Sequence, residues 1–382
     1  MGKISSLTLV LGAACNFSCS YCPQRRGADR LRQGDITAFL DLLRPRLAGR
    51  VLLRFTGGEP LLHWPLIAGT VRHAGRLAGT EFRFALATNG SLLDRGRIRY
   101  LREHGFLVGL SHDGAAQAGR DAGSVAAVTA ALGLLRRFHP DGYVVNSVFT
   151  PRTVPLLATS VAGLLRAGHR RLRFTLDRTA GWKPADLDEL EGQMARVVPA
   201  CREHRRRGGG TPLENLAPAD GRGVFACGAG RDRLALLPDR TVWGCELFHP
   251  LFGQDGGRPE LARHCMGTLE RFLSAGRRRT AAPAGAALRQ DYFIVGGRRR
   301  LCGLCADLER CAVCPATAAL ATGVPGVLPA WTCRLQRILL RAGQRLHRDM
   351  VPAAIETPTA GRERPAHRGA SFAAGRSVQN NL

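Results

Sequence analysis

The chain has 382 residues, of which 45% are hydrophobic, and a formal net charge of +25. This apolar content suffices for a sizeable core, so wholesale disorder is excluded, and the length suggests roughly two to three domains. No apolar run approaches the ~20 residues that a membrane-spanning helix needs. The apolar stretch before Cys15 is too short for a secretory signal, so we expect a cytoplasmic protein without a membrane partner.

The positive charge comes from arginines that are spread along the whole chain. We interpret most of them as solvated surface, which could help to hold an acidic partner such as a peptide segment. No aromatic–basic binding module is visible, and this argues against nucleic acid as a partner.

The first ~180 residues alternate short apolar runs with amphipathic stretches. Strands are predicted at Ile4–Leu11, Val51–Phe55, Phe82–Ala87, Leu107–Leu110, Tyr143–Phe149 and Leu172–Leu176. Helices are predicted between them at Ile36–Leu47, Pro65–Leu77, Asp94–His104, Ser124–Phe138 and Thr153–Ala167. Six strands that alternate with helices indicate a parallel α/β fold, either a partial barrel or an open sheet. In both, ligands collect at the carboxyl ends of the strands.

The later chain loses this rhythm. A linking helix is predicted over 186–207, interrupted by Pro199, and a terminal helix over 331–350. Between them loops dominate and Cys recurs, and from residue 352 onward the composition predicts a disordered tail. We divide the chain into an α/β part at 1–183, a linking helix and linker at 184–220, a cysteine-rich part at 221–336, and a terminal helix with the tail at 337–382.

Twelve cysteines at short spacings in a reducing compartment indicate metal binding rather than disulfides. Cys15, Cys19 and Cys22 follow the first predicted strand at C-x3-C-x2-C spacing. Ordinary ferredoxin clusters use four Cys, so three thiolates on one loop could hold three irons of a cluster and leave the fourth iron open to a ligand. A structural zinc site is the alternative, although zinc usually takes four ligands.

The loop resembles the signature of radical S-adenosylmethionine (SAM) enzymes, in which an aromatic residue, here Tyr21, precedes the last Cys. The resemblance implies a 4Fe–4S cluster, SAM as cofactor and a partial (β/α)6 TIM-like barrel. It extends to FTGGEP, whose Gly57, Gly58, Glu59 and Pro60 match the segment that binds the SAM amino group. Further matching positions that face the cofactor are Asn89, Ser111 and Asp113 (the last two as ribose contacts), and Arg120 as a contact of the SAM carboxylate.

The C-terminal cysteines resemble a SPASM domain, a loop-rich extension of peptide-modifying radical SAM enzymes that holds two auxiliary 4Fe–4S clusters. The resemblance assigns Cys227, Cys245 and Cys314 to the first cluster, with Cys201, Cys265 or no protein residue as the fourth ligand. It assigns the remaining set to the second cluster, namely Cys302, Cys305, Cys311 and Cys333. Two zinc sites of paired cysteines are the alternative for this region.

This sequence departs from the SPASM pattern in three ways. Arg240 stands at the usual hairpin glycine, so a different turn is expected. Cys311 and Cys314 are separated by two residues rather than three. The further Cys that sulfatase-maturing members carry would fall near Gly221, where there is none.

Glu246 directly follows Cys245. In sulfatase-maturing relatives an Asp at this position takes a proton from the substrate, so the resemblance makes Glu246 a candidate catalytic base. A surface glutamate is the alternative interpretation.

The resemblance implies an oxidoreductase that reductively cleaves SAM and uses the 5′-deoxyadenosyl radical to abstract hydrogen from a peptide. Maturation of a ribosomally synthesised peptide through a crosslink is the favoured reaction. The expected partners are a peptide or protein substrate and an electron donor such as ferredoxin or flavodoxin. Because the chain begins almost at its first strand, a separate leader-peptide recognition protein or direct binding is also expected.

Three alternatives remain open from the sequence. The enzyme could form formylglycine in a sulfatase, although the missing Cys near residue 221 argues against this. It could act on a small molecule. The chain could instead be a zinc-stabilised, Arg-rich nucleic-acid-binding protein.

Overall fold

The computed structural model describes residues 3–177, 180–210, 212–216, 227–252, 259–274, 294–295, 305–307, 310–311, 313–322 and 327–347. Its largest sheet contains six parallel strands: Ile4–Val10 (β1), Leu47–Thr56 (β2), Glu81–Thr88 (β3), Leu107–Ser111 (β4), Tyr143–Phe149 (β5) and Leu172–Leu176 (β6). Each pairs with the next in chain order. The predicted partial barrel is confirmed.

Helices connect these strands, as the alternating pattern predicts. They span Gln33–Leu43 (α1), Trp64–Ala74 (α2), Arg95–Glu103 (α3), Gln117–Arg120 (α4), Val125–Phe138 (α5) and Leu157–Arg166 (α6). The first helix ends before the predicted Leu47, because Arg44–Arg46 forms a 3₁₀ turn that contains Pro45. As a result β2 starts at Leu47, four residues earlier than predicted.

The two faces of the sheet differ in chemistry. On one face, apolar strand residues such as Leu9, Leu53, Phe55 and Val108 are completely buried in the main core with the helices. Burying each such side chain contributes about 1.5–3 kcal/mol. The other, inner face carries polar or small residues, and the carboxyl ends of the strands bring their loops together at one rim.

The cysteine-rich part extends the same sheet. Strand Arg233–Leu236 (β7) pairs in parallel with β1, and Thr241–Trp243 (β8) and Cys265–Thr268 (β9) follow antiparallel before helix Leu269–Ser274 (α8). A second, smaller apolar cluster joins Val10 of β1 to Ala235 and Trp243. The hairpin is therefore anchored on the edge strand of the barrel.

The linking helix runs without a break over Pro184–Arg206 (α7). The predicted interruption at Pro199 is wrong, because α7 is packed along its length, burying Leu190 and Val197. Proline costs a helix one hydrogen bond, and here burial outweighs that loss. The terminal helix, Ala330–His347, packs beside α7.

The remaining elements are short. They are strand Ile294–Val295 (β10), helix Pro315–Thr322 (α9) and strand Val327–Leu328 (β11), so that the terminal helix is α10. The tail predicted from residue 352 and the predicted extension of α10 to Met350 lie outside the described residues. Within the part of the chain that is described, no helix combines the length and the apolar character needed to cross a membrane.

Candidate functional site

The N-terminal cysteine loop, residues 12–22, starts where β1 ends and is fixed to the end of β2. Gly58 N–H donates to Gly12 O (3.0 Å), and Glu59 N–H donates to Ala14 O (2.9 Å). Gly57 has a φ of 145°. A methyl group on Gly58 would lie 2.1 Å from Ala14 O. Both glycines are required here, because the two backbones approach too closely for any side chain.

The three thiols of this loop lie near one another and near a guanidinium. Burial raises the pKa of Cys15, and the charges of Glu59, Cys19 and Cys22 act in the same direction. Cys22 N–H donates to Cys19 O (3.1 Å), which closes the turn between them. Arg120 Nε donates to Cys19 Sγ (3.1 Å), which places a positive charge beside the loop.

No three His, Cys, Asp or Glu side chains in the described ranges converge closely enough to hold a single metal ion. A cubane cluster needs no such convergence, since each thiolate binds a different iron. The donor set of the loop therefore fits three corners of a 4Fe–4S cluster.

Tyr21, Asp113 and Arg120 tie the loop to the end of β4. Tyr21 Oη donates to Asp113 Oδ2 (2.6 Å), and Val148 N–H donates to Asp113 Oδ1 (2.8 Å). The Arg120 guanidinium carbon lies 5.8 Å from the centre of the Tyr21 ring. Burial raises the pKa of Asp113, while Arg120 and Tyr21 oppose that rise. Asp113 thus orients Tyr21 and the end of β5 around it.

Glu59 is an enclosed carboxyl group of this rim, with 1% of its surface exposed. It accepts hydrogen bonds from Leu61 N–H (3.0 Å), Thr88 Oγ1 (2.7 Å) and Asn89 N–H (2.8 Å). Burial raises its pKa, and these donors oppose the rise. The Asn89 side chain donates in turn to Asn16 Oδ1 of the cysteine loop (2.9 Å).

The predicted SAM-contacting residues come together at this rim. Pro60 opens a 3₁₀ turn after Glu59, and Ser111 ends β4, beside Asn146 of β5. The sequence did not predict Asn16, although its place inside the cysteine motif was a signal.

An orphaned buried atom tests whether SAM fits here. Arg120 Nη1 is buried and makes no hydrogen bond to any described residue, and Asp113 Oδ1 lies 4.0 Å from it. An unpaired guanidinium N–H of this kind is costly unless an acceptor arrives. The carboxylate of an amino-acid moiety beside the cysteine loop would supply one, so the residues fit SAM.

The structure also brings together the three cysteines assigned to the first auxiliary cluster. Burial raises the pKa of Cys245 well above its usual range, and the charges of Glu246, Cys314 and Cys227 add to that rise. All three cysteines pack against the second apolar cluster. Close thiols on a loop-rich scaffold are the arrangement that an iron–sulfur cluster needs.

The two cysteines predicted as possible fourth ligands of the first auxiliary cluster lie in different parts of the molecule. Cys201 lies inside α7 in the main core, where burial alone raises its pKa to about 12. It is therefore not placed to join Cys245. Cys265 pairs with Trp243 across β8 and β9 and packs against the second apolar cluster, so it remains a candidate.

Two cysteines of the second auxiliary set lie at helix α10: Cys333 is part of the helix, and Cys305 contacts it. Cys305 and Cys333 both act on Arg337, whose pKa is raised by a hydrogen bond to Cys305 and by the charge of Cys333. Cys311 is half-buried, and Cys302 lies outside the described residues.

Glu246 opens the 3₁₀ turn that follows β8 and is half-buried. Its Oε2 lies 3.6 Å from Cys245 Sγ. Its charge also acts on Arg54 of β2, which is buried on the inner face of the barrel. Glu246 therefore lies beside Cys245, on the side from which its charge reaches the inner face of the barrel.

The turn between β7 and β8 differs from a two-residue hairpin, as expected. Arg240 N–H donates to Leu237 O (2.9 Å), and Arg240 has a φ of 65°. This is a three-residue loop whose last residue takes the left-handed conformation that glycine usually supplies. Arg240 Nε pairs with Asp35 Oδ1 of α1 (3.0 Å), which ties the loop to the barrel.

Comparison with known proteins identifies the class. Residues 9–151 match the sequence profile of the Radical SAM superfamily. This part of the chain is therefore a radical SAM domain, and the family is characterised by SAM and a 4Fe–4S cluster.

Sequence relatives share short stretches. GTP 3′,8-cyclase of Geobacter sulfurreducens is 37% identical over 97 residues, 24% of this chain and 28% of the relative. Serine-type anaerobic sulfatase-maturating enzyme of Klebsiella aerogenes is 31% identical over 115 residues, 27% of this chain and 28% of the relative. The chain thus covers less than a third of either relative.

Solved structures share the fold over most of the chain. Native anSMEcpe with bound AdoMet and Cp18Cys peptide aligns with a TM-score of 0.68 at 16% identity, covering 91% of this chain and 97% of that one. SuiB of Streptococcus suis bound to precursor peptide SuiA aligns with a TM-score of 0.57 at 13% identity, covering 87% and 76%. The likeness extends well beyond the radical SAM domain.

Proposed function

We propose that the chain is a radical SAM enzyme with SPASM-type auxiliary clusters that modifies a peptide or protein. The observation that carries this proposal is the grouping of Cys227, Cys245 and Cys314 at the edge of the sheet whose rim carries the first three cysteines. A barrel that only cleaved SAM would need no second set of thiols. Structural likeness to proteins solved with peptides supports a peptide as the substrate.

When bound, SAM and its cluster supply the one-electron chemistry that abstracts hydrogen from an unactivated carbon. The chain's own residues would bind the cluster and SAM and orient them. Cys15, Cys19 and Cys22 would hold the cluster, and Arg120 would bind the SAM carboxylate. Gly57 and Gly58 let the backbone come close to the ligand.

Further residues complete the binding of SAM and the handling of the substrate. Glu59 places negative charge near the SAM ammonium, while Ser111 and Asp113 face the ribose. In the interior, Glu246 is the base that takes a proton from the substrate after hydrogen is removed, since it lies beside Cys245 and close to the inner face of the barrel.

The favoured reaction is a crosslink in a ribosomally made peptide. Oxidation of this kind leaves electrons that the auxiliary clusters can accept. A ferredoxin or flavodoxin is the expected donor for the first cluster, and a separate protein that recognises the leader segment is a further expected partner.

Two enzymatic alternatives have support. Sulfatase maturation is favoured by the Klebsiella relative, but the sequence has no Cys near residue 221. A small-molecule reaction is favoured by the GTP 3′,8-cyclase relative. The radical SAM domain speaks against the zinc-stabilised nucleic-acid-binding alternative.

The first experiment is anaerobic reconstitution. Three four-iron clusters would give about twelve irons per chain, and SAM with dithionite should release 5′-deoxyadenosine. The triple variant Cys15→Ala/Cys19→Ala/Cys22→Ala should lose this release completely, because no protein ligand for the SAM-binding cluster remains. Cys201→Ala, which removes a thiol from the main core, should retain it.

The auxiliary set is tested separately. Cys245→Ala/Cys314→Ala should lower the iron content by about four while 5′-deoxyadenosine is still released, and the modified peptide should no longer form. A wild-type protein that is colourless and binds zinc stoichiometrically would overturn the proposal.

A further inference from the structure

Arg120 makes a contact with the cysteine loop that the proposed binding of SAM does not use. Its Nε donates a hydrogen bond to Cys19 Sγ (3.1 Å). Its Nη1, the nitrogen that would meet the SAM carboxylate, is a different atom of the same guanidinium and has no hydrogen-bond partner in the described part of the chain. Because the guanidinium is a rigid plane with five N–H donors, one side chain can hold the sulfur and the carboxylate together.

Hydrogen bonds of the neighbouring backbone fix this contact. Ser20 N–H donates to Arg120 O (3.0 Å), and Ser18 N–H donates to Asp121 Oδ2 (2.8 Å). Ser18 and Ser20 flank Cys19, and Asp121 directly follows Arg120. The chain on each side of the cysteine is therefore attached to the segment that carries the arginine, so the contact does not depend on a long side chain alone.

The Arg120 side chain is enclosed as well as attached. It is 9% exposed, and its guanidinium carbon lies 5.8 Å from the centre of the Tyr21 ring. A carboxylate oxygen, Asp113 Oδ1, lies 4.0 Å from its Nη1. Little solvent surrounds a charge in such a place, so it acts on neighbouring atoms more strongly than a surface charge does.

A charged donor at a ligating sulfur changes how easily an iron–sulfur cluster accepts an electron. Net charge and hydrogen bonds to the sulfurs are two of the factors that set the reduction potential of such clusters. Reduction adds one negative charge, and a guanidinium beside the sulfur stabilises the reduced state more than the oxidised state. The contact should therefore raise the potential of the cluster that Cys19 would hold.

We propose that Arg120 tunes the reduction potential of the SAM-binding cluster through its hydrogen bond to Cys19, raising that potential so that a ferredoxin or flavodoxin can deliver the electron. The inference rests on the proposed function and adds a second task to the residue expected to bind the SAM carboxylate. One electron passes from the donor protein to the cluster, and no bond forms or breaks at the arginine. In this role Arg120 acts through the sulfur of Cys19 and not on a substrate.

A redox titration monitored by EPR measures the potential on anaerobically reconstituted protein without SAM. The signal of the first cluster is the one that the triple variant Cys15→Ala/Cys19→Ala/Cys22→Ala lacks. Arg120→Gln removes the charge and the Nε donor. We expect the equilibrium constant for reduction of its first cluster by a fixed mediator to fall about tenfold, equivalent to ~59 mV for a one-electron couple.

Arg26→Gln is the matched control, because Arg26 also brings a positive charge to the cysteine loop. Its Nη2 donates to Phe17 O and to Ser18 Oγ (2.9 Å), and the residue is exposed. Since water and salt screen an exposed charge, we expect the same equilibrium constant to change by no more than about twofold. A change as large as that of Arg120→Gln would mean that any positive charge on the loop suffices, and would overturn the inference.

Arg120→Lys is the second variant, because it keeps the charge that Asp113 faces. A lysine ammonium is a compact charge on a flexible stem, without the fixed fork of a guanidinium, so it should hold the sulfur less well and lower the equilibrium constant by about threefold. Iron content and thermal unfolding check each variant. Arg120→Lys decides the test if Arg120→Gln does not fold or does not take up iron.

An unchanged or raised potential in folded, iron-loaded Arg120→Gln would overturn the inference, as would an unchanged potential in Arg120→Lys if only that variant folds. Loss of the SAM contact reads differently, because it lowers the affinity for SAM and leaves the potential measured without SAM as it was. Failure of the proposed function is distinct again: wild-type protein would lack the signal of the first cluster and would release no 5′-deoxyadenosine.

Discussion

The N-terminal cysteine loop and the C-terminal cysteine group (Cys227, Cys245 and Cys314) are held in different ways. The loop takes its three thiols from eight consecutive residues, 15–22, and the ends of β2 and β4 fix it through backbone and side-chain hydrogen bonds. The C-terminal group gathers thiols from three separate segments around a small apolar cluster. We therefore expect the protein to shape the first site by itself, and the second site to depend on a metal that links its segments.

The largest expected effect comes from a substitution that disrupts the N-terminal cysteine loop without removing any of its three cysteines. Gly58→Ala would place a methyl group 2.1 Å from Ala14 O, and a backbone atom cannot move away cheaply. Overpacking of this kind costs about 1–3 kcal/mol or more. We expect a lower unfolding temperature and at least a hundredfold loss of 5′-deoxyadenosine release.

Gly49→Ala is the matched control on the same strand, because a methyl group there meets no atom within 4 Å. It should keep both stability and SAM cleavage. Full activity of Gly58→Ala would show that the close contact between β2 and the cysteine loop is not needed.

The next largest effect should follow the removal of iron, which we expect to lower the stability of the C-terminal cysteine group more than that of the barrel. A bound metal contributes its binding free energy to the structure that forms the site. We expect amide protection in residues 227–252 and 313–322 to fall at least about a hundredfold, equivalent to ~2.7 kcal/mol, while β2 to β5 keep theirs. Hydrogen exchange before and after anaerobic chelation measures this.

A uniform loss of protection would contradict the comparison, since it would mean that iron supports the barrel as much as the hairpin. Unchanged protection in both regions would mean that the apolar cluster around Trp243 suffices alone.

A smaller effect concerns the loss of stability in acid, which we expect to come from two buried histidines of the barrel. Burial lowers the pKa of His112 and of His169 to about 4. Unfolded histidine titrates near 6.5, so between pH ~6.5 and ~4 the unfolded chain binds protons that the native chain does not. The unfolding free energy therefore falls as the pH drops through this window.

His169→Gln tests this. His169 Nδ1 and Tyr143 Oη are joined by a hydrogen bond (2.8 Å), and the side-chain amide of a glutamine, which does not titrate, could donate or accept in its place. Between pH 6.5 and 5.5 the variant should lose less stability than wild type, by about 1 kcal/mol. Anaerobic urea unfolding at both pH values gives the difference, and parallel losses would contradict the assignment.

Residue patterns predicted the barrel and its rim because those features are local. Each strand is a short run rich in apolar or β-branched residues, and the cysteine loop lies within eight residues of sequence. The pairing of β7 with β1 was not predictable, since it joins residues more than 200 positions apart through backbone hydrogen bonds that leave no pattern.

The smallest expected effect concerns Arg240, where the hairpin meets the barrel. Its left-handed backbone costs a residue with a Cβ about 1–2 kcal/mol. Its ion pairs with Asp35, which is 8% exposed, and with Glu270 of α8 offset part of that cost. Arg240→Ala loses both pairs and keeps the strain, and should be about 1 kcal/mol less stable than wild type.

Arg240→Gly loses the same two ion pairs but relieves the strain, so its stability should lie near that of wild type. Thermal unfolding of the iron-loaded variants side by side isolates the backbone contribution, because the two differ in one methyl group. If both variants lose the same stability, the strain at Arg240 is negligible and the hairpin depends on the two ion pairs alone. If the glycine variant is as stable as wild type, the arginine is kept for its link to α1, since its backbone conformation is one that glycine adopts more easily.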